Sequence, residues 1–293
     1  MAMMPEKNSG GFFTPLIENT WVCVLGYTQV GVYYLSHNKI VLIDSGSGEG
    51  EKLLSVLGDC GLSVRAVLAT HLHFDHIAAN EMLYESFGTE IIAAEEELPD
   101  AAFCGRHFTY PISTLPAGKD IVVDGHVFRT VPTPGHSRGH QLIFTPDGVC
   151  FCGDVIMTPD RLRKSKLPYM RDVEQAIKSM YLLKEQRACL FAPSHLGIIR
   201  PEELDAAVEE NVERELGLYE DLRKLAGEPI SPEALEEEVM HAVGVYNPKI
   251  MAFHFMHVAA RARINELLRT GEFRVEGNLI VGTNKAVESP GAI

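Results

Sequence analysis

Four side chains of metal-ligating type fall within six residues, in His71-Leu72-His73-Phe74-Asp75-His76. Imidazoles and carboxylates at this density suit one purpose, holding cations close together, because each supplies a lone pair to a divalent metal. A two-metal centre needs about eight coordination bonds from such groups and water. The segment falls short of that alone, and three later segments supply further candidates. Thr133-Pro134-Gly135-His136 is a turn ending in a histidine, Cys152-Gly153-Asp154 places a carboxylate at a strand end, and Ala192-Pro193-Ser194-His195 places a histidine at another. Together they make seven possible ligands: His71, His73, Asp75, His76, His136, Asp154 and His195. Two cations sharing a water lower its pKa enough for hydroxide to exist near neutral pH, which is the chemistry of metal-dependent hydrolysis.

The elements that must position these residues alternate in type. Residues 20–35, 39–43 and 64–69 read as strands, the last two short, apolar and β-branched as buried strands are. Helices are expected over 50–57 and 77–87, the second opened by Asp75 and His76, and a strand over 90–93. This alternation predicts an α/β layer. Residues 120–156 read instead as a meander of strands at 121–123, 126–132, 141–145 and 149–153, with Asp124-Gly125 and Pro146-Asp147-Gly148 as hairpin turns. Cys150 and Cys152 then point to one face of a strand.

Past Pro201 the pattern becomes helical. One helix spans 202–226, a second starts at Ser231-Pro232 with an N-cap and an N1 proline, and a third runs from Asn247-Pro248 to about Gly271. A hairpin turning at Glu276-Gly277-Asn278 follows. Three helices and a hairpin predict a small winged-helix-like appendage, and the chain is divided accordingly into 1–203 and 204–293. His254 and His257, one turn apart on the third helix, are read as packing residues.

The ordered set Asp44, His71–His76, His136, Asp154 and His195 resembles the metallo-β-lactamase-fold superfamily, whose five motifs appear in order between about residues 15 and 200. The resemblance implies a four-layer αββα sandwich with the site at one edge of two sheets. It implies one metal on His71, His73 and His136, a second on Asp75, His76 and His195, and Asp154 bridging. Asp75 is the candidate catalytic residue, placed to orient the nucleophile or shuttle its proton. Asp44 is expected to order the histidine loop from behind the ligands, and His140 to be structural or supporting. The oxygen-reducing di-iron members carry glutamate where His73 stands, so hydrolysis is expected over redox chemistry. The phrase from Thr133 to His140 is similar to that of glyoxalase II and its thioesterase-like relatives, and the C-terminal region resembles the winged-helix extension of some members.

The substrate expected is a small anionic thioester or ester. A phosphodiesterase or ribonuclease with the same metals is the alternative within enzymes, and a non-catalytic, metal-binding regulatory protein the alternative outside them. The basic stretch 161–171 offers Arg161, Arg163, Lys164, Lys166 and Tyr169 as substrate contacts. A solvated loop is the competing reading of the same stretch. Zinc is the first choice of metal, with iron or manganese also suited to this ligand set.

The 293 residues carry a net charge of −14 and are 46% hydrophobic. That charge disfavours nucleic acid and anionic membrane, and residues 205–293 themselves hold 16 acidic against 9 basic side chains, which disfavours a nucleic-acid face on the appendage. No apolar run approaches the roughly 20 residues of a membrane span. The first residues lack a basic stretch followed by an apolar one, so a cytoplasmic protein is expected, and secreted β-lactamase activity is not. The six cysteines are scattered and are read as reduced, buried thiols. The appendage is expected to be a packing domain that covers the active site or forms a dimer contact, the second giving a homodimer.

Overall fold

The computed structural model describes residues 10–103, 107–165, 167–242, 244 and 251–283, without the side chains of 103 and 251–254. Lys166, Cys104, His254 and the Asn247-Pro248 cap therefore lie outside what is described. A seven-stranded sheet runs in chain order: β1 (Thr14–Ile17), β2 (Thr20–Leu25), β3 (Thr28–Ser36), β4 (Lys39–Ile43), β5 (Ser63–Leu68), β6 (Glu90–Ala94) and β7 (Ile112–Leu115). Its first four strands are antiparallel, and β4 to β7 pair in parallel. A five-stranded sheet contains β8 (Ile121–Val123), β9 (His126–Pro132), β10 (Gln141–Phe144), β11 (Val149–Gly153) and β12 (Leu190–Pro193), with β11 and β12 parallel.

The period-2 pattern of the strands explains how the layers stack. In β4, Val41 and Ile43 face the second sheet and pack with Phe128, Ile143 and Phe151. Ile40 and Leu42 face the other way, onto Leu53 and Leu57 of α1 (Gly50–Cys60) and Leu83 of α2 (Asn80–Phe87). On the second sheet, Ile143 and Phe151 face inward while Leu142, Phe144, Cys150 and Cys152 face an outer helical layer. Two short helices, α3 (Leu98–Phe103) and α4 (Pro159–Leu162), follow β6 and β11, and the outer layer includes α5 (Val173–Lys184) and α6 (Leu204–Leu225). Each fully buried aliphatic or aromatic side chain stabilises the stack by about 1.5–3 kcal/mol. The result is the four-layer αββα sandwich. Cys150 and Cys152 do share a face, wholly buried in apolar packing, and burial pushes the Cys150 thiol well up. The five described cysteines are all free thiols, buried as expected except for Cys189, which is exposed.

One expectation at the element level needs correction. The helix expected over 77–87 starts only at Asn80, so Asp75 and His76 sit in a turn ahead of it. The backbone donors there are already used: His76 N–H on His73 O, Ala78 N–H on Gly46 O, and Asn80 N–H on Ile77 O. The helix α5 was not anticipated. Its start is fixed by Asp172, whose carboxylate accepts from Gln175 N–H at 3.0 Å.

Beyond α6 come α7 (Pro232–Ala242), α8 (Met251–Arg269) and a hairpin of β13 (Phe273–Glu276) and β14 (Leu279–Gly282). Ser231 caps α7, its Oγ accepting from Ala234 N–H. One apolar cluster runs from Leu142 and Phe191 of the second sheet through Val208 and Leu222 of α6 to Leu235, Ile264 and Ile280. The packing is thus continuous across residue 203. At its centre Arg263 of α8 is fully buried. It donates from Nε (3.1 Å) and Nη2 (2.5 Å) to Glu215 Oε2 of α6, from Nη1 to Ala259 O, and from Nη2 to Pro168 O at 3.0 Å. That last bond fastens α8 to the loop preceding α5. Among the described residues, no helix is long and apolar enough to cross a membrane.

Candidate metal centre

Every candidate ligand hangs from a strand end where the two sheets meet. His71, His73, Asp75 and His76 follow β5, His136 follows β9, Asp154 follows β11 and His195 follows β12. The chain separation between them is long, but their side chains converge. The ligand atoms of His71, His73 and His136 lie within 4.8 Å of one another, as do those of His71, His76 and Asp154, and those of Asp75, His76 and His195. His136 Nε2 is 2.9 Å from His73 Nδ1. Asp154 reaches His195 Nε2 at 3.1 Å, and His136 Nε2 and His76 Nε2 at 3.5 Å. Asp75 Oδ2 stands 3.9 Å from both His76 Nε2 and His195 Nε2.

The residues behind this cluster set which nitrogen faces it. Asp44 Oδ2 accepts from His76 Nδ1–H at 2.8 Å, leaving Nε2 for the cluster. Asp44 also accepts from Thr70 N–H and Thr70 Oγ1–H, so Thr70 Oγ1 in turn accepts from His71 Nδ1–H at 3.1 Å. Tyr169 O accepts from His136 Nδ1–H at 2.9 Å. The pattern of a donated N–H behind and a lone pair in front is that of metal-ligating histidine. Asp44 holds its place with φ of 62°, in the left-handed region where aspartate is uncommon, as functional positions often are.

His140 acts on Asp154 rather than joining the cluster. Its Nε2 accepts from Asp154 N–H at 2.9 Å, and its Nδ1–H donates to Thr133 Oγ1 at 2.8 Å. Burial, with His136 adding to it, lowers its pKa to about 3, so it is a neutral support. A Cβ at Gly153 would collide with His140 Nε2, which explains a glycine directly before Asp154.

Three cluster atoms are buried without any hydrogen-bond partner: His71 Nε2, His76 Nε2 and Asp154 Oδ1. Orphaned buried polar atoms are costly, and a cation would satisfy all three. The electrostatics agree. Burial alone would lower His76, but Asp154 and Asp44 outweigh it and raise it well above the usual range. Asp154 raises His195. Burial pushes Asp154 up, yet His195 and His76 hold it well below the usual carboxylate range. Burial and the neighbouring histidines lower His71. The field draws positive charge into the cluster, and the donor set is imidazole and carboxylate, so the residues fit divalent metal ions. Asp44→Ala is expected to weaken metal binding about 10- to 100-fold, as measured by competition with a chelator. Unchanged affinity would remove Asp44 from this role.

Of the described substrate contacts expected in the basic stretch, Tyr169 lines the cavity over the cluster, beside Ser165, Leu167, Pro168 and Met170 of the same segment. Arg161 donates from Nε to His195 O at 2.8 Å. Arg163 pairs with Asp160 and Glu210 at the surface. Lys164 is exposed. His257 pairs with Glu236 at 3.2 Å, as a packing residue would.

Sequence reasoning missed Glu97. It is buried, with Oε2 accepting from Leu72 N–H at 2.8 Å and Oε1 accepting from Ser137 Oγ and Gly139 N–H. One carboxylate therefore ties the His71–His76 loop to the His136 loop. It stands in the run Glu95-Glu96-Glu97, where nothing separates it from a solvated acid. Tyr27, stacked on His195 at 6.0 Å, and Phe255 of α8, 5.9 Å from His73, were also missed.

The model of the metallo-beta-lactamase superfamily matches residues 25–195. The chain belongs to that superfamily. Among curated proteins it is 31% identical over 144 residues to a probable metallo-hydrolase, YqgX, of Bacillus subtilis, covering 45% of this chain and 68% of that one. It is 33% identical over 131 residues to the hydroxyacylglutathione hydrolase GloC of Haemophilus influenzae, covering 39% and 60%. Against the hydroxyacylglutathione hydrolase of Blochmanniella pennsylvanica it is 29% identical, covering 47% and 50%. The chain thus spans roughly half to two thirds of the length of these relatives. Two solved structures share the fold over nearly the whole chain. They are a metallo-beta-lactamase family protein of Thermus thermophilus (TM-score 0.68, 19% identity, 93% of this chain and 97% of that one) and a beta-lactamase domain protein of Burkholderia ambifaria (TM-score 0.70, 17% identity, 92% and 93%).

Proposed function

We propose that this superfamily hydrolase works with two divalent metal ions, zinc first among the candidates, on a small thioester or ester. The observation that carries the reading is the pair of ligand groups joined by one carboxylate. His71, His73 and His136 would hold one ion, Asp75, His76 and His195 the other, and Asp154, in reach of both groups, would bridge. Bound there, the ions would supply Lewis acidity and a water with a pKa near about 7. The chain's own residues do the rest. Asp75 Oδ2 is positioned to orient the attacking water and take its proton. Asp44, Thr70 and Tyr169 O fix which imidazole nitrogens face the ions. Water adds to the acyl carbon, the C–S or C–O bond breaks, and an acid and a thiol or alcohol leave. Support for a thioester comes from the relatives named as hydroxyacylglutathione hydrolases. Among the described residues lining the cavity there is no lysine or arginine, which favours a small ester over RNA.

The test is a substrate panel on protein of measured metal content: acyl thioesters, a bis-aryl phosphodiester and single-stranded RNA, with Asp75→Ala as control. Thioester turnover is expected, falling about 100-fold or more in the control. RNA cleavage without thioester turnover would overturn the reading in favour of a nuclease. Metal binding with no turnover on any substrate would point to a regulatory protein.

A further inference from the structure

We infer that the group held over the metal cluster is an apolar, aromatic-sized acyl chain, and that any anionic part of the substrate stays outside the cavity; the inference rests on the thioester or ester reading above. The cavity that opens onto His73, Asp75, His136, Asp154 and His195 measures about 230 Å³, smaller than most ligand pockets, which run from about 300 Å³ upward. Its walls are mostly apolar, with Ser165, Asn211, Tyr27 and Tyr169 as the polar exceptions away from the cluster. Ile156 follows β11, Leu167 and Tyr169 come from the loop before α5, Phe74 comes from the histidine loop, and Phe255 and Met256 come from α8. Phe255 is the hub of an aromatic wall, with ring centroids 5.5 Å from Tyr169, 5.7 Å from Phe74 and 5.9 Å from His73.

Two of the polar groups nearby are engaged by the protein. Asn211 lines the cavity, but its Oδ1 accepts from Met157 N–H at 3.0 Å, and its Nδ2 donates to Met157 O and Ala207 O. The Arg161 side chain, the nearest of the basic stretch after Asp154, is held on His195 O. A hydroxyl on the acyl chain would leave water for a largely apolar wall in which both Asn211 N–H donors are already taken, at a cost of roughly fivefold or more in binding. A further methylene against such a wall is worth about tenfold. The wall therefore selects against the 2-hydroxyacyl group and for a ring or branched alkyl group of similar length.

The experiment uses full-length, metal-loaded protein and four thioesters of one thiol, N-acetylcysteamine: phenylacetyl, butanoyl, acetyl and lactoyl. Phenylacetyl is expected to exceed acetyl in kcat/KM by at least about tenfold, with lactoyl below butanoyl. Phe255→Ala is expected to shrink the phenylacetyl-over-acetyl ratio by about tenfold. Should that variant fold poorly, product inhibition of the unaltered protein serves instead: phenylacetate is expected to inhibit about tenfold or more tightly than acetate. A preference for lactoyl, or equal inhibition by the two acids, overturns this inference alone. Failure to hydrolyse any of the four overturns it together with the reading on which it rests.

Discussion

Replacing Asp154 by alanine is expected, on the bridging role proposed above, to cost at least about a thousandfold in kcat/KM, equivalent to about 4 kcal/mol of transition-state stabilisation, and to lower the metal content. Asp154 is the residue whose carboxylate faces His76, His136 and His195 together. Its burial would neutralise an ordinary acid, yet His195 and His76 keep it charged. The negative charge is therefore held where two cations would need it most. The backbone around it is prepared for the role, because His140 takes its N–H and Gly153 leaves room for that ring. Elemental analysis and steady-state kinetics on the same preparation decide the matter. A variant with two ions and more than a tenth of the activity would refute the bridging assignment.

The largest effect on stability is expected at Arg263. Arg263→Met leaves Glu215 buried and unpaired in the core shared by α6 and α8. Breaking such a pair typically costs about 3–5 kcal/mol, measurable by urea unfolding. Burial already raises the Glu215 carboxyl, with Arg263 opposing the rise, so losing Arg263 raises it further. A carboxyl raised in the folded state makes that state the better proton binder, and stability then grows as pH falls through the raised value. The deficit should be full in mildly alkaline buffer and shrink towards about pH 5. Arg263→Met with Glu215→Leu should recover most of it, since an apolar pair of similar size is often as stable as the ions. If the deficit ignores both pH and the second substitution, the fault lies elsewhere than the lone carboxylate. Because Arg263 also donates to Pro168 O, next to Tyr169 whose carbonyl holds His136, the single variant should lose metal affinity too.

The candidate site was legible where side chains of metal-ligating type cluster along the chain. His71, His73, Asp75 and His76 stand together because one strand-end turn carries four of them, and no structural need explains such density. Asp154 and His195 could be found because each ends an apolar strand. The strands of both sheets follow from alternation, as in β4, whose odd and even residues serve different cores. What failed was local wherever distant parts decide. The start of α2 is set by Gly46 and the histidine turn, which take the backbone donors of residues 76–80. Glu97 looks like its neighbours Glu95 and Glu96 until two loops close around it. Phe255 is an ordinary helical aromatic until α8 is laid against Phe74 and Tyr169. The Asn211 amide likewise has no signature before α6 meets the segment after β11.

The reacting centre is drawn from residues 71 to 195, and part of the wall facing it from Phe255 and Met256, on a helix that contributes none of the candidate ligands. Chemistry and selectivity are thus written in separate stretches of the chain. Substitutions along α8 can reshape the space above the candidate metal cluster while the cluster itself stays untouched. A lineage of such proteins could move from one substrate to another by changes in its last third, keeping the motifs of residues 71 to 195 intact and giving no sign of the switch in them.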